Sequence, residues 1–234
     1  MQEIAQIKKL SLWIFFVPLV GINFCLFISV NYSFFENTIF VVDQIGRSGF
    51  SIPYFDGSLS ISRASRTFPQ YLVFKPTMII TGVLLILYWN KTNILVNKFR
   101  NSINQNNNFK YFGVVSAVLL IIHSIFLGIE IDIKFVKLFK RLVLLGFIIC
   151  ELIAQGFLVK NFYAIKSLIK GFYNPKILTL KIILVSLLIL IAIVVSPILS
   201  NNDYVHLKHG LEWNYFIGII LFYFLTSLFW RRTT

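Results

Sequence analysis

Three polar side chains interrupt otherwise apolar stretches of this sequence, and their types could support proton or hydrogen-bond chemistry inside a membrane. They are His123, Glu151 and Gln155. Glu151 and Gln155 are four residues apart, so on a helix they share one face. Counted along the apolar stretches at 1.5 Å per residue, His123 and Glu151 differ by only about 5 Å in depth, which would allow a hydrogen bond between their helices.

Two interpretations of this intramembrane group remain open. A carboxylate in the middle of a membrane is energetically costly, so Glu151 is a functional candidate, for example in moving protons or a small solute. The alternative is structural: the three side chains hold neighbouring helices together by hydrogen bonds. A proton relay would need more carboxylates than Glu151 alone, which favours the structural interpretation.

A second candidate group falls on two connections between apolar stretches. Its members are Asp56, Ser60, Ser62, Arg63, Arg66, Pro69, His206, His209 and Glu212. The arginines either suit an anionic partner such as a lipid phosphate or snorkel to the membrane interface. Serine, histidine and aspartate are all present, but without a G-x-S-x-G motif a hydrolase is only an alternative. The histidines and Glu212 have i, i+3, i+6 spacing that could bind a metal, yet no H-E-x-x-H motif occurs, so we predict no metal and no cofactor.

The elements that position both groups must be membrane-spanning helices. The 234 residues are 57% hydrophobic and 13% charged, with a mean hydropathy of +0.79, whereas soluble domains are about a quarter charged. This composition excludes a disordered chain and a soluble nucleic-acid-binding domain. Six apolar stretches approach the roughly 20 residues that span a bilayer: 10–30, 71–89, 111–129, 142–157, 182–199 and 211–230. We predict a single all-α integral membrane domain over residues 1–234, a polytopic bundle of six transmembrane helices.

The net charge of +13 divides unequally between the two sides of such a bundle. Segments on the side of the N-terminus hold 13 lysines and arginines, Lys181 among them, against one acid, while the other side holds nine basic residues and seven acids. The positive-inside rule then predicts cytoplasmic termini and a long outer loop over residues 31–70. The four tryptophans fall at the ends of predicted spans, as expected at a membrane interface.

The basic inner loops should attract anionic lipids of the inner leaflet. Membrane lipids are therefore the predicted partners, a second membrane protein is a further candidate, and nucleic acid is not expected. The predicted location is a bacterial inner membrane or a eukaryotic endomembrane or plasma membrane.

The layout resembles the Frag/DRAM/Sfk family of six-span membrane proteins. The first outer loop ends in SLSISRASRTFPQYLVFK, in which Ile61-Ser62 and Pro69 are similar to the family's Ile-Ser…Pro pattern. The last outer loop runs into HLKHGLEWNYFIGIILFYFLTSLFW, whose histidine and Glu212-Trp213 resemble the family's His…Glu-aromatic start of the last helix. The family includes proteins of GPI-anchor lipid remodelling and the N-terminal region of Cwh-type proteins. The resemblance implies a role in lipid remodelling, lipid distribution or membrane trafficking, in a family whose members are regarded as non-catalytic or of unsettled catalytic status.

These observations predict a protein that handles lipid at its outer mouth. Ser62, Arg63 and Arg66 would meet the head group, with His206, His209 and Glu212 opposite and His123 and Glu151 beneath. One alternative is an intramembrane hydrolase or acyl or phosphoryl transferase with an outer histidine as its base. A further alternative is a transporter of a small solute or protons that uses Glu151.

Overall fold

The structure is a computed structural model that describes residues 2–35, 51–100, 108–129, 133–200 and 202–231. Residues 36–50 of the predicted outer loop lie outside the described residues. Within these ranges the chain forms eight α-helices: α1 Gln2–Val30, α2 Pro53–Asp56, α3 Ile61–Ser65, α4 Gln70–Arg100, α5 Asn108–Phe126, α6 Lys134–Ala164, α7 Pro175–Ser200 and α8 Val205–Phe229.

All of these helices except α2 and α3 are long and apolar enough to cross a membrane. The predicted all-α bundle of six spanning helices is therefore confirmed, and the chain is a multi-pass membrane protein. The cytoplasmic position of the termini stays a prediction.

Several helices run beyond the predicted spans. Helix α6 begins at Lys134 instead of residue 142, and α4 continues to Arg100 instead of residue 89. The reason is that backbone hydrogen bonding continues past the end of an apolar stretch, while lysine and arginine side chains extend toward water. Pro76 lies inside α4, in its second turn.

The six long helices form a ring. In order around it, each contacts the next: α1, α4, α5, α6, α7, α8 and again α1. One close approach is set by Gly113 of α5, since a Cβ atom there would lie 2.3 Å from the Trp89 ring of α4. We call the end covered by residues 51–69 the cap end, and the opposite end, which holds Lys8 and Trp230, the basal end.

Aromatic side chains fill the ring toward its basal end. This basal aromatic cluster, whose members are all at most 1% exposed, comprises Tyr88, Trp89, Phe109, Phe162, Phe222, Tyr223, Phe229 and Trp230. Trp89 and Trp230 therefore lie in the core rather than at the membrane interface, and Trp213 is buried as well. Of the four tryptophans only Trp13 is exposed, at 51%.

The basal end is fastened by a clasp of backbone and side-chain hydrogen bonds. The Asn174 N–H donates to Phe229 O at 2.8 Å, and the Arg231 N–H donates to Phe172 O at 2.9 Å. Lys8 Nζ of α1 donates to Trp230 O at 2.9 Å. This basal clasp ties the beginning of α1 and the segment before α7 to the end of α8.

Candidate functional site

Residues 51–69 form a cap that is fixed to the start of α8. Trp213 Nε1 donates to Leu59 O at 2.7 Å, and Asn214 Nδ2 donates to Tyr54 O at 2.8 Å. Gly57 has a left-handed φ of 59°, and a Cβ atom there would lie 1.8 Å from His206 O. Only glycine fits this contact, so the local sequence positions the cap on the bundle.

Several polar side chains of the cap and of α8 form hydrogen bonds with the cap backbone. Ser60 caps helix α3, because its Oγ accepts the Arg63 N–H at 3.1 Å. The Glu212 carboxylate of α8 is hydrogen-bonded to the backbone of Ser62 and Ile61. The free N–H groups at the start of α3 are thus satisfied from two elements, as a helix N-terminus requires.

Asp56 closes the turn between α2 and Leu59. Its carboxylate accepts the Ser58 N–H at 2.8 Å and the Ile52 N–H at 2.9 Å. The hydrogen bond from Ser58 is the largest cause that holds the pKa of Asp56 below its usual value, because it stabilises the ionised form. The side chain is exposed and belongs to the cap structure.

Beneath the cap, the helices of the ring line an elongated cavity of about 1210 Å³ that is open on one side. All six long helices contribute to its wall, which is almost entirely apolar. Along α8 the lining runs from Lys208 to Tyr223, a distance of about 22 Å, and along α6 from Leu144 to Lys160, about 24 Å. The cavity is therefore long relative to a bilayer core of about 30 Å.

The cavity also reaches the outer surface of the bundle between two helices. Leu145 and Ile149 of α6 line it and are 49% and 47% exposed. Across from them, Ile189 and Ile193 of α7 line it and are 41% and 66% exposed. An exposed apolar rim on a membrane-spanning helix faces lipid, so the cavity is accessible from within the membrane.

The structure divides the predicted outer group. Ser62, His209 and Glu212 line the cavity at its cap end, together with Lys208, which the sequence did not single out. The other members lie elsewhere: Asp56, Arg63, Arg66 and His206 are exposed outside the cavity, and Ser60 and Pro69 are buried in the cap. The predicted arginine wall of a head-group site is not part of the cavity.

The histidines of the predicted outer group have separate environments. His209 Nδ1 donates to Gly57 O at 3.0 Å, while the His206 side chain is exposed. Within the described residues, no three His, Cys, Asp or Glu side chains are gathered as metal ligands would be. His209 and Glu212 line the cavity, whereas His206 does not.

Glu151 is the centre of a buried hydrogen-bond network. Gln155 Nε2 donates to Glu151 Oε1 at 3.0 Å, and the Tyr223 hydroxyl donates to the same oxygen. Ser116 Oγ lies 2.6 Å from Glu151 Oε2 and 2.8 Å from Gly113 O. The network joins α5, α6 and α8, and it agrees with the predicted shared face of Glu151 and Gln155.

His123 does not take part in this network, contrary to the hydrogen bond with Glu151 that the sequence would allow. Its ring is hydrogen-bonded to the backbone of Lys140 on α6. Glu151 instead contacts Ser116, which is seven residues before His123 and about 10 Å from it along α5. The depth difference was underestimated because α5 and α6 do not begin and end where the apolar stretches do.

A second buried charge, which the sequence did not reveal, is Lys181 of α7. It is 0% exposed, and its Nζ donates to Thr226 Oγ1 at 2.6 Å. The ammonium lies 3.8 Å from the ring centroid of Phe222, and the rings of Phe162 and Phe229 lie at 5.4 and 5.6 Å. Cation–π attraction to these rings offsets part of the cost of removing the charge from water.

Lys181 and Glu151 contact neighbouring turns of α8. Thr226, the partner of Lys181, is three residues beyond Tyr223, the partner of Glu151, which is about 4.5 Å along the helix. The charge pattern predicts that Lys181 lies in a basic inner segment, whereas α7 begins at Pro175 and contains Lys181 in its second turn. These two buried ionisable side chains lie close in depth and bond to different residues of α8.

No protein-family model, no curated protein and no solved structure matches the chain. The cavity, the cap and the two buried charges must therefore be interpreted from their own chemistry.

Proposed function

We propose that the protein binds a membrane lipid, with the acyl chain in the cavity and the polar head beneath the cap. The observation that carries this proposal is the cavity itself, which has about 1210 Å³ behind an apolar wall and opens between α6 and α7. Typical small-molecule sites enclose roughly 300–1,000 Å³, so the cavity suits a larger and longer ligand.

The polar end of the cavity suits a phosphate-bearing head group. Lys208 supplies a cation there, and Ser62 supplies a hydroxyl. Because His209 Nδ1 carries the proton donated to Gly57, its Nε2 is left for a ligand. A charge-assisted hydrogen bond from lysine to phosphate is among the stronger polar contacts available to such a site.

The same geometry favours binding over hydrolysis. A serine nucleophile needs a hydrogen bond to a base that a third group orients. Among the described residues, the hydrogen bond of the His209 ring is to Gly57 O, and Ser62 is held through its backbone by Glu212. We therefore assign these side chains to head-group contact.

A cavity-filling variant tests this proposal. Ala192 of α7 lines the cavity, and Ala192→Phe would place a ring where an acyl chain is expected. Leu187→Phe is the matched control, because Leu187 is 48% exposed on the same helix and does not line the cavity. Native mass spectrometry of the purified protein should show at least about tenfold less retained phospholipid for Ala192→Phe only, which corresponds to about 1.4 kcal/mol. Equal lipid retention in the two variants would contradict the proposal.

A second candidate function, proton movement, is supported by the buried Lys181 near Glu151. These groups would exchange protons through side chains of α8, where Tyr223 and Thr226 stand between them. In liposomes with an internal pH dye, Glu151→Gln should then abolish proton flux, while Gln155→Leu should preserve part of it. If wild-type protein gives no flux above that of empty liposomes, this second candidate is wrong.

A further inference from the structure

We infer that the cavity takes its lipid from one leaflet of the membrane, the leaflet at the cap end, through a side opening between α6 and α7. This inference rests on the proposed lipid-binding function and adds the source and the route of the ligand. The rim of the side opening consists of four side chains that line the cavity and are also exposed on the outside of the bundle: Leu145 and Ile149 of α6, and Ile189 and Ile193 of α7.

The burial of α6 and α7 changes along their length. Among the described side chains of α6, only Val143 is buried in residues 134–150, whereas most of residues 151–162 are buried. On α7, Val185 and Leu188 are buried, but no side chain of residues 189–195 is. Both helices therefore separate from the bundle toward the cap end, and the side opening faces the cap-side leaflet.

Toward the basal end, α7 lies close against both of its neighbours. A Cβ atom at Gly156 of α6 would lie 3.9 Å from Val185 Cγ1. A Cβ atom at Gly218 of α8 would lie 2.6 Å from Leu188 Cδ2, and the Tyr215 hydroxyl donates to Leu188 O at 3.2 Å. These contacts close the side opening below the level of Gly156 and Val185, where the two helices meet.

The basal end of the cavity has a different character. Its exposed lining residue there is Lys160, which also lines a small neighbouring pocket together with Arg100 of α4. The Arg100 guanidinium donates to Asn161 Oδ1 at 2.9 Å, so this end is bordered by cations and an amide instead of an apolar rim. An acyl chain from the basal leaflet would have to pass these polar groups, which is unfavourable.

The orientation of the cavity also matches the cap-side leaflet. Its polar end, with Lys208 and Ser62, lies beneath the cap, and its apolar wall continues toward the middle of the membrane. A lipid of the cap-side leaflet already has its head and chain at these depths, so it enters by moving sideways. A lipid of the basal leaflet would first have to carry its charged head through hydrocarbon, which is costly.

The cap narrows the direct route from water to the polar end. Trp213 Nε1 donates to Leu59 O at 2.7 Å, and the ring of His209 is hydrogen-bonded to Gly57 O at 3.0 Å. Gly57 lies so close to His206 O that not even a methyl group fits between them. The membrane is therefore the favoured source of the ligand.

Delivery of a lipid to one leaflet tests the inference. The probe is a phosphatidylglycerol with a diazirine in its acyl chain, added to the outer leaflet of phosphatidylcholine vesicles that hold full-length protein in both orientations. Phe55→Cys, at a cap position that is 90% exposed, marks molecules with an outward cap through an impermeant maleimide. Illumination should cross-link cavity-lining peptides at least about tenfold more in the marked molecules. Equal cross-linking in both orientations would overturn the inference.

Narrowing the side opening provides a second test. Ile193→Trp enlarges a rim side chain that is 66% exposed. Ile183→Trp is the matched control, because Ile183 is 56% exposed on the same helix, lies on the basal side of Val185 and does not line the cavity. Ile193→Trp should slow the appearance of cavity cross-links by at least about tenfold without changing their final level, since a narrower route raises the barrier in both directions. Equal rates in the two variants would contradict the proposed route.

The outcomes separate this inference from the function on which it rests. Cavity cross-links that form in both orientations and disappear in Ala192→Phe would leave lipid binding intact and overturn entry from one leaflet. If wild-type protein gives no cavity cross-links with the probe in both leaflets, the proposed function itself is wrong. The leaflet comparison uses only a substitution on the exposed cap surface, so it holds even if Ile193→Trp fails to fold.

Discussion

In the basal half of the ring, large aromatic side chains fill the space around Trp89 and Phe229, whereas a cavity of about 1210 Å³ extends between the helices from Lys208 at the cap end to Tyr223 and Lys160. Protein interiors are normally filled as densely as organic crystals. The contrast does not reflect a shortage of large residues. Phe16, Phe24 and Phe27 of α1 point outward and are 46% to 48% exposed. The sequence thus places large side chains on the outside of α1 while the cavity stays open, which is expected of a binding site.

Removing one aromatic ring from the basal cluster and one from the cavity wall should give the largest difference in the free energy of unfolding. Phe229 is 0% exposed and stacks on Phe162 with ring centroids 4.8 Å apart, so Phe229→Ala should cost about 3–5 kcal/mol. Phe216 borders the cavity and is half-buried, so Phe216→Ala should cost less than about 2 kcal/mol. Denaturant unfolding in mixed micelles measures both losses. Similar losses of stability would show that the basal cluster and the cavity wall are packed equally densely.

Adding side-chain volume beside the basal cluster and on the cavity wall should give the next largest difference in the free energy of unfolding. Gly113→Ala forces a methyl group against the Trp89 ring and should cost about 1–3 kcal/mol. Ala192→Phe adds far more volume on the cavity wall, yet it should change the free energy of unfolding by no more than about 0.5 kcal/mol. Thermal unfolding of the two variants in one detergent compares them. If Ala192→Phe is destabilised while Gly113→Ala is unchanged, the densely packed region would be at the cavity wall and not at Trp89.

The charge inside the basal half can be removed without a large loss of stability. Lys181→Met keeps the volume of the side chain and removes a buried charge, which is often neutral or stabilising. We expect a change within about 1 kcal/mol, whereas Lys181→Ala should lose about 2 kcal/mol because it leaves a cavity among the phenylalanines. The melting temperatures of the two variants provide the measurement. A strongly destabilised Lys181→Met would mean that the cation–π contacts themselves hold the basal half together.

The smallest expected effect concerns the cap. The pKa of Asp56 is lowered in the folded protein by the N–H groups of Ser58 and Ile52. Its stabilising contribution is therefore complete above the unfolded pKa, near 4, and is lost as the pH falls through the lower folded value. Wild type should show a slight additional fall in melting temperature in that range, and Asp56→Asn should lack it. Identical pH profiles would indicate that the turn does not depend on the ionised carboxylate.

The fold was predictable because spans of about 20 apolar residues have few alternatives in a membrane. The contact between Glu151 and Gln155 was predictable for a similar reason, since it depends on spacing within one helix. The separation of His123 from Glu151 was not predictable, because it depends on the offset of α5 relative to α6 along their axes. Sequence periodicity carries no information about that offset.

Lys181 and the cavity show two further limits of sequence reasoning. A lysine near the end of an apolar stretch normally reaches water, and only the rings contributed by α6 and α8 show that this one is enclosed. The cavity has even less of a sequence signal, because it consists of space that no side chain fills. The sequence feature that points to the cavity is Glu212, an acidic residue between Leu211 and Trp213 near the start of the last helix.

The basal clasp has a consequence for how the protein is made. Its hydrogen bond between Lys8 and Trp230 joins residues 222 positions apart in the chain. During synthesis, α1 emerges long before α8 exists, so the ring cannot close until the last helix has been inserted. Until then, the edges of α1 and α7 that α8 will cover are open to lipid or to other newly made helices. Cells are therefore expected to hold this chain in an insertion or chaperone complex late into translation, and truncation before α8 should leave it prone to degradation.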